Sequence, residues 1–159
     1  MENVEMLKEL LAYNIWADRK ILKSLEEQSE PNPRSLIIFN HLLVAEAEWL
    51  TRLIDNKGTP DFNFWPNMSL SDCKIKANEI HEKYTELINN LTEKKLGVVA
   101  VYKNSKGVEY RTSWREVLMH VTIHSAYHRG QVAMALRDSG DTPVNTDYVG
   151  FIRERVSAV

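Results

Sequence analysis

Along four long stretches of the chain, apolar residues recur at steps of three and four, the period of an amphipathic helix. From about Val4 to Glu27 the stripe is Leu7, Leu10, Leu11, Asn14, Ala17, Ile21, Leu22 and Leu25. Glu30-Pro31-Asn32-Pro33 breaks it. Asn32 is placed to cap a second helix with Pro33 at its first position, where the missing N–H costs nothing. That helix runs to about Ile54 with Ile38, His41, Leu42, Ala45, Trp49 and Leu53 on one side, and Asp55-Asn56-Lys57-Gly58 ends it.

A polar and aromatic connection, Thr59 to Pro66, follows. Ser69 with Asp72 makes a capping-box variant for a third helix bearing Ala77, Ile80, Tyr84, Leu87, Ile88 and Leu91. Val98–Tyr102 and Val108–Thr112 flank Lys103–Gly107 and read as a small hairpin. Ser113-Trp114-Arg115-Glu116 has capping-box form and opens a fourth helix to about Asp138, stopped by Ser139-Gly140. A short helix from about Asp147 to Val156 finishes the chain. No repeat or linker divides it, so residues 1–159 read as one domain. Helices of this length, about 30 Å each, are the material of an all-α four-helix bundle.

Composition narrows the function. In 159 residues there are 20 Lys+Arg against 22 Asp+Glu, five His and one Cys. A formal charge of -2 lacks the basic footprint that phosphate neutralisation requires, which argues against nucleic acid. One cysteine forbids an internal disulfide framework and any multi-cysteine metal site. The chain has neither a signal-peptide pattern nor an apolar run long enough to span a bilayer, so a cytoplasmic protein without a membrane partner is expected.

The histidines are the remaining chemistry. His120, His124 and His128 stand at successive steps of four on the fourth helix. Each neighbouring pair shares a face and can chelate one divalent ion, but the outer two are about 12 Å apart along the axis. The spacing leaves the choice of pair open. His41, inward on an otherwise apolar stripe, is the candidate third ligand. Three imidazoles without a thiolate leave a coordination position open, as catalytic sites do. An inward histidine is more often a hydrogen-bonded core residue, so the argument rests on three converging from two helices. His81 reads as boundary packing and Cys73 as structural or exposed. Glu48 lies nearly in line with His41 but about 10 Å along the helix, too distant for an evident general base.

Asn14-Ile15-Trp16-Ala17-Asp18, the lone His41, and His124-Ser125-Ala126-Tyr127-His128-Arg129-Gly130-Gln131 resemble the DinB (damage-inducible) family, the superfamily that includes YfiT-like metalloenzymes and the bacillithiol- and mycothiol-dependent enzymes. The resemblance covers nearly the whole chain. It implies an up-down-down-up four-helix bundle, a nickel or zinc ion held by His41, His124 and His128, and a homodimer. It also implies a small-molecule substrate, with a low-molecular-weight thiol or water as nucleophile in a transferase or hydrolase reaction. The alternative is a non-catalytic metal- or ligand-binding bundle with a stress-response or assembly role.

Around that site, Asn14 is a candidate to hydrogen-bond a ligand histidine or to satisfy backbone. Gln131 can face the cavity beside His128, and His120 is a candidate proton-transfer or edge residue. Arg129 is a candidate for attracting an anionic substrate, although its phase relative to His128 points it toward the outside of the bundle. Trp16 and Trp49 read as core or interface. Phe62, Phe64 and Trp65 mark an interface or a lid.

Overall fold

The expected caps are formed. In the computed structural model, which describes residues 2–157, α1 (Glu2–Glu26) is followed by α2 (Pro33–Ile54), where Asn32 Oδ1 accepts from the Ser35 amide at 2.9 Å. Helix α3 (Leu70–Asn90) opens on the reciprocal Ser69–Asp72 box. The same device, Ser113 with Glu116, opens α5 (Trp114–Asp138). Helix α6 (Tyr148–Ser157) closes the chain.

Two features differ from the sequence expectation. A one-turn helix, α4 (Glu93–Leu96), capped by Thr92, sits where no periodicity could announce it. It plugs fully buried Leu96 into the end of the core. The hairpin strands are β1 (Val99–Lys103) and β2 (Glu109–Ser113), shifted one residue from the expected bounds. The reason is Asn104. Its side chain accepts from the Lys106 and Val108 amides at 2.9 and 3.0 Å, so the turn begins at 104 and Lys103 stays in the ladder opposite Glu109. Gly107, at φ 75°, supplies the left-handed residue this turn needs.

Cross-helix contacts give the bundle its sense. Glu26 meets Lys74 and Asp18 meets His81, so α1 and α3 are antiparallel. Asn40 meets Cys73 and Glu46 meets Tyr84, so α2 and α3 are parallel. His41 meets His128 while Trp49 meets His120, so α5 runs against α2. The result is up-down-down-up, with α1 and α2 each packed between α3 and α5. Leu7, Leu11, Ile21 and Leu25 from α1 meet Phe39, Leu42 and Leu43 from α2 in a continuous apolar core with Ile80, Leu118, Val132 and Leu136. Helix α6 folds back on α1, where Phe151 packs on Tyr13 and Trp16 and Glu154 accepts from the Trp16 indole N–H at 2.8 Å. No helix among the described residues is long and apolar enough to cross a membrane.

The cap of α5 also sets the start of the helix that bears two of the site histidines. Replacing Ser113 with Ala should cost about 1 kcal/mol in urea unfolding. A loss below about 0.3 kcal/mol would show the Ser113–Glu116 exchange to be dispensable.

Candidate metal centre

His41 comes from the middle of α2, and His124 and His128 from one turn of the antiparallel α5. His41 Nε2 and His128 Nε2 are 3.1 Å apart, and His128 Nε2 and His124 Nε2 are also 3.1 Å apart. One ligand atom from each of the three lies within 4.8 Å of the others. The opposite ring nitrogens explain what this arrangement is for. His41 Nδ1 donates to the Phe64 carbonyl at 2.6 Å, and His128 Nδ1 to Gln131 Oε1 at 2.7 Å. A carbonyl oxygen only accepts, so both rings carry their proton on Nδ1 and turn an Nε2 lone pair inward. Lone pairs meeting at hydrogen-bond distance repel unless a proton or a cation lies between them.

A proton is disfavoured. Burial lowers the pKa of all three imidazoles, and that of His124 falls to about 4, with His128, His120 and His41 adding to the effect. The neutral form that ligates metals is therefore the resting form at neutral pH. These donors fit a divalent ion of the nitrogen-preferring kind. The wall is completed by Trp65, whose ring stacks on His41 at 3.9 Å and an interplanar angle of 7°. The 62–65 segment thus packs onto the site from within the chain, through the Phe64 carbonyl and the Trp65 ring.

The other sequence candidates separate. Gln131 orients His128 as described. His120 stays at the helix edge, edge-on to Trp49 at 4.9 Å, beside His124 but outside the cluster. Glu48 is buried away from the cluster, held by Arg52 Nε at 3.1 Å and the Thr59 amide at 2.9 Å. Cys73 is buried against Asn40. His81 is not at a boundary; it is 2% exposed, with Nε2 3.7 Å from Asp18.

Arg129 and Asn14 depart most from expectation. Arg129 points inward and is 2% exposed, because Asp18 draws it across to α1. Its Nη1 donates to Asp18 Oδ1 at 3.0 Å and to Asn14 Oδ1 at 2.7 Å. A guanidinium so paired is not free for an anionic substrate. Asn14 contacts neither a ligand histidine nor free backbone; its Nδ2 donates to Glu46 Oε1, which also accepts from Ser125 Oγ at 2.6 Å. Asp18 and Glu46 are the residues the sequence reading missed. The signal was there on α1, since Leu7, Leu11, Asn14, Asp18, Ile21 and Leu25 alternate steps of four and three, with two polar members on a core seam.

This network has two carboxylates for one buried cation. Burial and the nearby Asp18 charge push the Glu46 carboxyl well above its usual range, against the hydrogen bonds from Ser125 and Asn14 and the Arg129 charge. For Arg129, burial opposes the charge, and Asp18, Tyr13 and Glu46 together outweigh it. An Asp18–Arg129 ion pair beside a protonated Glu46 is neutral overall, the arrangement a low-dielectric interior favours.

Two expectations follow from this burial. Arg129→Met leaves Asp18 uncompensated and should cost about 3–5 kcal/mol in urea unfolding. Glu46 holds its proton more tightly folded than unfolded, where its ordinary value is 4.5. Its stabilising contribution is therefore full below that pH and is lost as pH rises toward the raised folded value. The stability of the unmodified protein relative to Glu46→Gln should fall as pH rises above the ordinary value of 4.5. A pH-independent difference would mean that Glu46 is ionised in the fold.

Residues 1–156 match the DinB family. "Protein DinB" of Bacillus subtilis (strain 168) is 22% identical over 165 residues, spanning 87% of this chain and 89% of that protein. Among solved structures, a DinB-like protein from Bacillus cereus ATCC 10987 superposes with a TM-score of 0.59 at 19% identity, covering 84% of this chain and 91% of that one. YfiT from Bacillus subtilis, described as a probable metal-dependent hydrolase with an unusual four-helix bundle topology, superposes with a TM-score of 0.51 at 16% identity, covering 89% and 87%. With the family match running from the first residue through α6, the chain belongs to the DinB family.

Proposed function

We propose that this protein is a divalent-metal-dependent enzyme acting on a small molecule, with His41, His124 and His128 as the metal ligands. The observation that carries the reading is the set of inward Nε2 lone pairs, two of them fixed by hydrogen bonds on the far side of the ring. A nickel or zinc ion held there would supply Lewis acidity and lower the pKa of a water or of a low-molecular-weight thiol. The description of YfiT as a probable metal-dependent hydrolase favours water as the nucleophile and hydrolysis as the reaction. Transfer of a thiol cofactor is the second reading; Cys73 is buried against Asn40, outside the cluster, so in that reading the thiolate arrives with the cofactor.

The protein's own groups do the positioning. The Phe64 carbonyl and the Gln131 amide hold two imidazoles at fixed rotation, and Trp65 excludes water from one face of His41. His124, the least enclosed of the three, marks the side from which substrate enters. His120, whose ring centroid lies 5.3 Å from that of His124, is the titratable side chain beside the cluster that could move a proton.

Metal analysis of untagged protein should find one divalent ion per chain, lost in His124→Ala. Unchanged stoichiometry in that variant would sink the three-histidine site. Gln131→Leu frees His128 to rotate and should weaken metal affinity by about 10–100-fold while leaving the fold intact. Loaded protein screened against ester and amide substrates, and against electrophiles with added thiols, separates hydrolase from transferase. Inactivity in both with full metal binding would favour the non-catalytic bundle.

A further inference from the structure

Helix α2 carries a second functional position in phase with His41. Arg52 follows His41 by eleven residues, which returns it to within about 20° of the same face, about 16 Å along the axis. Its side chain folds back toward the start of the helix, as helical geometry favours, and Nε donates to Glu48 Oε1 at 3.1 Å. The guanidinium therefore lies near the level of Glu48, about 10 Å along the axis from His41. Three rings hold it there. Its Cζ is 4.5 Å from the centre of the Trp49 ring, 4.9 Å from that of Tyr102 and 5.8 Å from that of Phe64. The residue is 6% exposed, yet among the described residues Nη1 and Nη2 have no hydrogen-bond acceptor. Arg129 also has unpartnered nitrogens, Nε and Nη2, but those are sealed in the core and the two of Arg52 are not.

We propose that the free edge of Arg52 binds the carboxylate of an anionic substrate whose reacting group lies at the three histidines. This rests on the metal-dependent reading above and adds to it the charge and reach of the substrate. Buried arginines are ordinarily hydrogen-bonded. A fork held by rings with both terminal nitrogens unmatched is what a carboxylate completes, through two parallel hydrogen bonds. The way from fork to cluster is continuous. Phe64, which lies against Arg52, has its ring 6.4 Å from that of His41. On α5 the His120 ring lies 4.9 Å from Trp49 and 5.3 Å from His124. Partial burial, then the charge of Arg52, lower the His120 pKa, which places guanidinium and imidazole as neighbours. His120 is exposed and Trp49 and His124 are half-buried, so this strip faces solvent. Glu48 already balances Arg52, so the pair suits one added negative charge better than a phosphate ester, which carries about two. The surrounding rings suit a carboxylate on an apolar or aromatic stem. Attraction of an anion, which helical phase offered to Arg129, falls to Arg52.

The test is a titration of untagged protein, as purified, with phenylpropionate, read by calorimetry and by the arginine side-chain proton–nitrogen NMR signals. Binding should shift the Arg52 signal and should be absent for phenylpropionamide, which has the same shape without the charge. That comparison needs no variant. Arg52→Lys keeps the balance with Glu48 but lacks the fork, and should weaken phenylpropionate binding by about 10–100-fold. Arg52→Gln combined with Glu48→Gln leaves no buried charge unpaired, and should abolish binding while keeping the helical circular dichroism. Stripping the protein of metal with a chelator should leave binding in place, so the result stands apart from whether the metal reading holds. Binding that survives both Arg52 variants and disappears with the metal would make the carboxylate a metal ligand and overturn the proposal. So would tighter binding of phenyl phosphate, or no binding of phenylpropionate at millimolar concentration.

Discussion

A single buried ion pair governs how α5 sits in the bundle. Asp18 and Arg129 are both buried, and each would be left as an uncompensated interior charge without the other. Their pairing draws α5 against α1, while Ser125 and Asn14 converge on Glu46 and tie both helices to α2. Each clustered histidine of α5 is followed directly by an anchor: His124 by Ser125, His128 by Arg129. The anchors lie about 100° around the axis from those histidines. When they engage the core, the imidazoles are turned toward His41.

The polar core and the three-histidine cluster are therefore two readings of one helical phase. Apolar packing of Val121, Val132 and Leu136 would hold α5 in the bundle with some rotational slack, since hydrophobic contact has no direction. Hydrogen bonds and charge pairs remove that slack. Such groups stabilise little compared with well-packed apolar residues, but they penalise every alternative setting in which they would be left unpaired. A site that needs three nitrogens to converge gains from such a penalty.

Much of this was legible in the sequence because it follows from local rules. Periodicity placed the four long helices, and cap residues at 32, 69 and 113 placed three of their starts. The spacing of His124 and His128 put both on one turn, and His41 stood out against its apolar stripe. What was not legible depends on partners remote in the chain. Helical phase alone sent Arg129 outward, because it weighs angle and not the 111-residue separation across which Asp18 draws the side chain inward. Asn14 was visible as a polar residue on a core seam, but its partners on α2 and α5 were not. Helix α4 is a single turn, too short for a periodic stripe to repeat, and Trp65 reaches His41 through a connection whose course no pattern dictates.

The adjacency of histidine and anchor on α5 has a consequence for how this chain can change length. Substitution at an outward position disturbs neither set. Insertion or deletion of one residue between Ser113 and Arg129 would rotate everything beyond it by about 100°, detaching the ion pair and scattering the imidazoles together. Length variation is thereby confined to the connections, above all the 55–69 segment, the hairpin turn at 104–108 and the stretch before α6. Related chains could differ in those connections wherever the Phe64 carbonyl and the Trp65 ring keep their contacts with His41, while α5 keeps its residue count.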